Sequence, residues 1–218
     1  KLYNLTQQNN IRFMTNQSLL ILTGGIGRRM EFVEKSLIPF KNQTIIEYMV
    51  NSLKSEFDEI IISVRDKTQK ESLASLLTNE NVIIVEDYYQ NVGPLAGILE
   101  GFKISKSEYI FVTACDMPFI NRKVVKFLFE CAKGHDIALP RWNNKKIEPL
   151  HAVYKRKSMI LEIENAIKIK ETKIFAPISK LNSIFFVDMK KIQKIDENLL
   201  TFTNINTLKD LKKLKYVQ

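Results

Sequence analysis

Apolar residues in this chain fall in two rhythms. Short apolar-rich runs occur at Leu19–Leu22, Ile60–Val64, Val82–Val85, Tyr109–Val112 and Ile137–Leu139. Each is too short for a helix and mostly β-branched, aromatic or leucine, so each predicts a buried strand. Between them the spacing becomes helical. Over Thr44–Phe57, residues Ile45, Ile46, Met49, Val50 and Leu53 share one face, and over Arg122–Ala132 so do Val124, Val125, Leu128 and Phe129. Gln69–Leu77 and Leu95–Ile104 predict two more helices. Strand–helix alternation of this kind predicts an α/β fold, a single domain with a mainly parallel central sheet and helices on both faces. Ligands of such sheets lie beyond the carboxyl ends of the strands.

The second half is less regular. Pro149–Tyr154 predicts a strand, Lys157–Ile169 a helix and Ile184–Val187 another strand. Thr207-x-x-Asp210 has the spacing of a capping box that opens a terminal helix through Leu214. Residues 1–17 are polar, rich in Asn and Gln and without period, and read as a loosely ordered leader in which Met14 is a candidate start. No repeat and no Pro-, Gly- or Ser-rich linker divides residues 18–218.

Candidate chemistry gathers at the predicted strand ends. The run Leu19–Leu22 stops at Gly24-Gly25, passes Gly27-Arg28-Arg29 and reaches Lys35. Glycines at a strand end let the backbone approach a phosphate, free N–H groups there bind anions, and the flanking cations add charge. The spacing is neither that of a P-loop nor that of a dinucleotide-binding G-x-G-x-x-G. The plainer alternative is a tight turn with solvated arginines. Asp116 ends the strand that begins at Tyr109 and precedes Pro118, which keeps Met117 extended. A carboxylate at that position is a candidate Mg²⁺ ligand, since Mg²⁺ takes one or two carboxylates plus phosphate oxygens and water. Its alternative role, a helix N-cap, is already served by Asn121. Asp87 follows another strand and could meet ribose hydroxyls or a metal-bound water; it could equally be a turn residue, and Glu86 competes for the place. Pro94 after Gly93 suits the first position of a helix.

These segments resemble a known family. Leu22-Thr23-Gly24-Gly25-x-x-Arg28-Arg29-Met30-x-x-x-x-Lys35 is similar to the signature of MobA-type nucleotidyltransferases, the molybdenum cofactor guanylyltransferases. Val85-Glu86-Asp87, Gly93-Pro94-Leu95-Ala96-Gly97, Ala114-Cys115-Asp116-Met117-Pro118 and Phe202-x-Asn204-Ile205-Asn206-Thr207-x-x-Asp210-Leu211 match in order, so the resemblance spans residues 18–215. All but the last are shared with cytidylyl- and uridylyltransferases of the same fold. The resemblance implies a Rossmann-like domain, with residues 18–140 as a nucleotide-binding half and 141–218 as an acceptor-binding half. It implies a Mg²⁺-dependent transfer of GMP from GTP to the terminal phosphate of molybdopterin or Mo-molybdopterin, with release of pyrophosphate. Lys35, Arg28 and Asp116 are then catalytic, with Asp116 on the metal. Leu22, Thr23, Gly24, Gly25, Lys35, Asp87, Pro94, Leu95, Gly97 and Asp116 bind nucleotide, the base lying between residues 22–25 and 93–97. Asn204 and Asn206 face the acceptor, although Asn206 could instead help cap the last helix. Arg141, Lys145, Lys146 and His151 are then placed to attract the acceptor phosphate. Other molybdenum cofactor biosynthesis proteins and molybdoenzymes are the implied partners.

The chain departs from the signature at several positions. Thr23 replaces the commoner Ala, Glu31 follows Met30 where Gly is usual, and Leu208 follows Thr207 where Pro is usual. Ser63 stands where some relatives carry an Asn that reads the base. A sister enzyme using CTP or another phosphorylated acceptor, and a non-catalytic nucleotide-binding protein, are the alternative readings.

Composition narrows this little. A length of 218 residues and 45% apolar content suit one α/β domain. The formal charge of +9 invites a nucleic-acid reading, but the lysines are scattered and no basic recognition module is present. A positive field suits polyanionic small substrates equally well. Cys115 and Cys131 form no metal motif, and His135 and His151 stand alone, which disfavours zinc. No apolar run reaches the ~18 residues of a membrane span, and no secretory signal pattern is present, so the expected location is cytoplasmic.

Overall fold

The computed structural model describes residues 17–24, 34–78, 81–205 and 210. Seven strands form the main sheet: β1 (Gln17–Leu22), β4 (Glu59–Val64), β5 (Val82–Glu86), β6 (Tyr109–Ala114), β7 (Ile137–Arg141), β8 (His151–Lys155) and β9 (Ile184–Asp188), in the spatial order β5-β4-β1-β6-β8-β7-β9. The pairs β5–β4, β4–β1, β1–β6 and β7–β9 are parallel. Only β8 runs against its neighbours, inserted between β6 and β7. Its link from β7 contains no helix, and a strand reached without a crossover must return antiparallel.

The helices are α1 (Ile45–Leu53), α2 (Lys67–Leu76), α3 (Pro94–Ile104), α4 (Arg122–Ala132), α5 (Arg156–Lys168), α6 (Phe175–Ile178) and α7 (Met189–Gln193). They cover both faces, as the period predicts, because β1 alternates. Leu19 and Ile21 pack with Ile45, Met49, Leu73, Val124 and Leu128. Leu20 and Leu22 pack with Leu95, Ile98, Phe102 and Ile163 on the other side. Leu19, Leu20 and Ile21 are fully buried, and removing such a side chain from water is worth roughly 1.5–3 kcal/mol.

Caps explain several boundaries that periodicity alone blurs. Thr44 and Glu47 form a reciprocal capping box at α1. The helix then stops at Leu53, short of the expected Phe57, and Phe57 enters the core from the following turn. Asp66 caps α2, so that helix opens at Lys67 rather than Gln69. Asn121 caps α4 through the N–H groups of Lys123 and Val124, as its position predicts. The strand expected over Pro149–Tyr154 starts at His151, because Glu148–His151 is a turn closed by a His151 N–H bond to the Glu148 carbonyl. A small hairpin, β2 (Pro39–Phe40) with β3 (Gln43–Thr44), was not predicted; Lys41 and Asn42 turn it with φ of +48° and +63°. Of the expected terminal helix only Asp210 is described, and it is helical; Thr207 and the rest of that segment lie outside the described residues.

Candidate active site

The carboxyl ends of β1, β4, β5 and β6 open onto a cleft of about 370 Å³. Leu22, Gly24, Lys35, Ser63, Asp87, Gly93, Pro94, Gly97, Asp116 and Leu150 are on its wall. Most of the nucleotide-site residues expected from sequence therefore converge. Gly25, Arg28 and Asn206 lie outside the described residues. A second cleft, of about 330 Å³, lies at the opposite, amino ends of the strands near Gln17 and Asp58. It holds the surface ion pairs of Glu56 with Arg122 and Lys126 and none of the expected site residues.

Lys35 enters the cleft from a 3₁₀ turn over Lys35–Leu37 that leads into the β2–β3 hairpin. Its Nζ lies 3.0 Å from Asp116 Oδ2, and both side chains are largely sheltered, at 16% and 23% exposure. Asp116 follows β6, and its carbonyl accepts the Ile205 N–H at 2.7 Å. That bond draws the Thr203–Ile205 segment alongside the β6 end and leaves Asn204 exposed one residue away.

Asp87 is the residue of the Glu86/Asp87 pair that faces the cleft; Glu86 is exposed and is not on its wall. Burial pushes the Asp87 carboxyl up to about 6, against a hydrogen bond from Ser63 Oγ at 2.6 Å that lowers it, while Glu100 and Glu86 raise it further. Ser63 was noticed in sequence only as a departure, yet it is central here. Its carbonyl accepts both the Thr23 N–H at 3.0 Å and the Thr23 hydroxyl at 2.7 Å. A Cβ on Gly97 would fall 2.2 Å from Ser63 Oγ and 3.0 Å from Leu22 Cδ2, so only glycine lets α3 approach β4 this closely. Spacing along the chain could not reveal that contact, because it joins residues on different elements.

One expected role needs correction, and at two other positions only the backbone is left to meet a nucleotide. Leu95 is fully buried in the core under α3, so its side chain does not meet a ligand. Thr23 turns its hydroxyl onto Ser63 instead of into the cleft. His151 cannot attract a phosphate: it is fully buried, edge-on to Phe111 and against Phe202, with Nε2 3.0 Å from Thr201 Oγ1. Burial pushes its imidazole down to about 3 and keeps it neutral. Of the basic residues expected beside it, Arg141 stacks on Phe186 at 4.1 Å and Lys146 pairs with Glu148 at 2.8 Å. Cys115 is buried and its thiol is pushed up to about 12, chiefly by burial, so it is a packed thiol and not a nucleophile.

The donor set suits a hard cation shared with a phosphate. Asp116 and Asp87 supply carboxylates to one open cleft, beside a lysine. Among the described residues no cluster of three or more His, Cys, Asp or Glu side chains forms a protein-only cage. One or two carboxylates with room for phosphate oxygens and water is the Mg²⁺ pattern.

The chain as a whole is similar to proteins of one family. The family model described as the MobA-like NTP transferase domain matches residues 19–180. A Methanosarcina acetivorans protein named molybdenum cofactor guanylyltransferase is 44% identical over 203 residues, covering 91% of this chain and 90% of its own. Its counterpart of the same name in Methanosarcina mazei is 43% identical, covering 91% and 89%. The crystal structure of molybdopterin-guanine dinucleotide biosynthesis protein A from Archaeoglobus fulgidus superposes with a TM-score of 0.79 at 29% identity, covering 92% of this chain and 97% of that one. With its strand-end cleft, its Lys35–Asp116 pair and these matches over most of its length, the chain belongs to the MobA-like NTP transferase family and is a nucleotidyltransferase.

Proposed function

We propose that this protein transfers GMP from GTP to the terminal phosphate of molybdopterin, forming the guanine dinucleotide cofactor and pyrophosphate. The observation that carries the reading is the paired Lys35 and Asp116 in a cleft whose walls are Leu22, Gly24 and the Gly93–Gly97 segment. An oxygen of the acceptor phosphate attacks the α-phosphorus in line. The bond from that phosphorus to the bridging oxygen of the β-phosphate breaks, and pyrophosphate leaves with the electron pair. The nucleophile is already an anion, so no general base is required. That suits a site whose neighbouring His151 and Cys115 are both buried and uncharged. Catalysis is then positioning and charge neutralisation.

Asp116, with Asp87 as a second carboxylate in the cleft, would hold Mg²⁺, which when bound neutralises phosphate charge. Lys35 sheds its carboxylate partner to meet the triphosphate. Arg28 and Gly25 keep the phosphate-binding roles the family resemblance implies. Backbone groups around Gly93 and Pro94 would read guanine, since its O6 acceptor and N1–H and N2–H₂ donors need no side chain. Asn204, beside Asp116, faces the acceptor. The reaction would then run in the cytoplasm.

The test is a thermal-shift series with GTP, CTP, ATP and UTP in the presence of Mg²⁺. Stabilisation follows RT ln(1 + [L]/Kd), so the preferred base gives the largest shift. GTP is expected to lead, and pyrophosphate release is expected only when molybdopterin is added. A larger shift with CTP, together with CTP-driven release, would replace the guanylyl reading with the cytidylyl one.

A further inference from the structure

Gln69 is the third residue of α2, where a glutamine ordinarily sits on the surface. Here it is 1% exposed and every polar atom of its amide is used. Its Oε1 accepts the Arg65 N–H at 2.8 Å. Its Nε2 donates to the Thr23 carbonyl at 3.2 Å and to Glu34 Oε1 at 2.8 Å. Glu34 Oε1 also accepts the Ser36 hydroxyl at 2.8 Å. Glu34 and Ser36 are the two neighbours of Lys35, whose ammonium reaches Asp116.

We infer that Gln69 is a positioning residue of the reaction, which fixes Lys35 by tying Glu34 to the end of β1 and to the β4–α2 junction. Thr23 C=O and the Glu34 carboxylate are both acceptors, so they need a donor between them. The Arg65 N–H on the other side needs an acceptor. A primary amide is the one neutral side chain of this length that offers both. The Glu34 carboxylate is then held from two directions, by Gln69 and by Ser36, and a carboxylate so held fixes the backbone on which Lys35 stands. This inference rests on the role given to Lys35 above, but it does not depend on which base the nucleotide carries.

The isosteric variant Gln69→Glu replaces the donor with a third acceptor and keeps the bond from Arg65. It is expected to stay folded, to lower kcat about 10–100-fold, the range expected when a catalytic group is misplaced by up to about an ångström, and to raise the KM for GTP. Adding Glu34→Gln returns an N–H donor between residues 34 and 69 and is expected to recover most of the lost kcat. A purely structural role would instead lower the melting temperature and leave kcat and KM of the folded protein unchanged; that result, or a double variant that regains melting temperature without kcat, overturns the inference. If Gln69→Glu does not fold, Gln69→Met removes the same donors without adding an acceptor and is judged by the same two constants. If the wild type turns over CTP in place of GTP, the guanylyl reading fails while the comparison, run with CTP, still decides Gln69. A wild type that neither binds nor turns over any of the four triphosphates overturns both.

Discussion

At the residue scale, Asp116 and Lys35 hold each other 3.0 Å apart, so neither is left as an uncompensated charge before substrate arrives. Asp116→Ala keeps the backbone carbonyl that Ile205 uses, so the fold should survive while turnover falls by roughly 10²–10³ or more. Lys35→Arg keeps the charge but spreads it over a planar fork, and should restore little of the activity lost in Lys35→Ala. Steady-state kinetics beside a melting curve checks both. The buried titratable groups set opposite pH trends. His151 falls from 6.5 to about 3 in the folded chain, so its contribution to stability is complete above about 6.5 and is lost as pH drops toward 3. Asp87 rises from 3.8 to about 6, so its contribution is complete below about 3.8 and is lost as pH rises through 6. Asp87→Asn should therefore raise the melting temperature of the ligand-free protein above pH 6 and change it little near pH 4. His151→Leu should flatten the acid-side decline. Melting temperatures taken across pH decide both.

At the element scale, the site depends on how closely α3 lies on β4. Gly97 is the point of contact, and a Cβ there meets Ser63 Oγ, Ser63 Cβ and Leu22 Cδ2 at 2.2, 3.0 and 3.0 Å. Gly97→Ala should destabilise by about 1–3 kcal/mol, the usual cost of overpacking. It should also turn the Ser63 hydroxyl away from Asp87, so that KM for the nucleotide rises along with the loss of stability. Denaturant unfolding and steady-state kinetics on the same preparation would show both effects; a variant with unchanged KM would separate the Ser63–Asp87 contact from binding. The reversed strand β8 matters for a similar reason. It carries the buried His151 beside Thr113 in register with β6, and His151 bonds Thr201 just before the Thr203–Ile205 segment that docks on Asp116. The Thr201–Ile205 segment is thereby fastened to the end of β6 that carries Asp116.

At the scale of the whole molecule, 33 Lys and Arg against 24 Asp and Glu give +9 and a field that draws in anions. Raising ionic strength should lower kcat/KM for the nucleotide several-fold, chiefly through association, because exposed charges farther apart than about 8–10 Å are screened; initial rates at low substrate across a salt series check this. Among the described residues no helix is long and apolar enough to cross a membrane. The sequence by itself determined the α/β class, both covered faces and the strand ends where Gly24, Asp87, Pro94 and Asp116 sit, because periodicity and turn chemistry are local properties that each segment carries alone. It also carried the family resemblance, since the motifs are short and ordered. Only the tertiary structure decided which of Glu86 and Asp87 faces the cleft, that the side chains of Leu95, Thr23 and His151 turn away from it, and that β8 runs backward between β6 and β7. Only the tertiary structure brought out Ser63 and Gln69, whose partners lie on other elements and whose importance comes from burial and hydrogen bonding across the fold. Burial fixes their charge states and bonding needs, and burial is a property of the assembled layers that no single segment possesses.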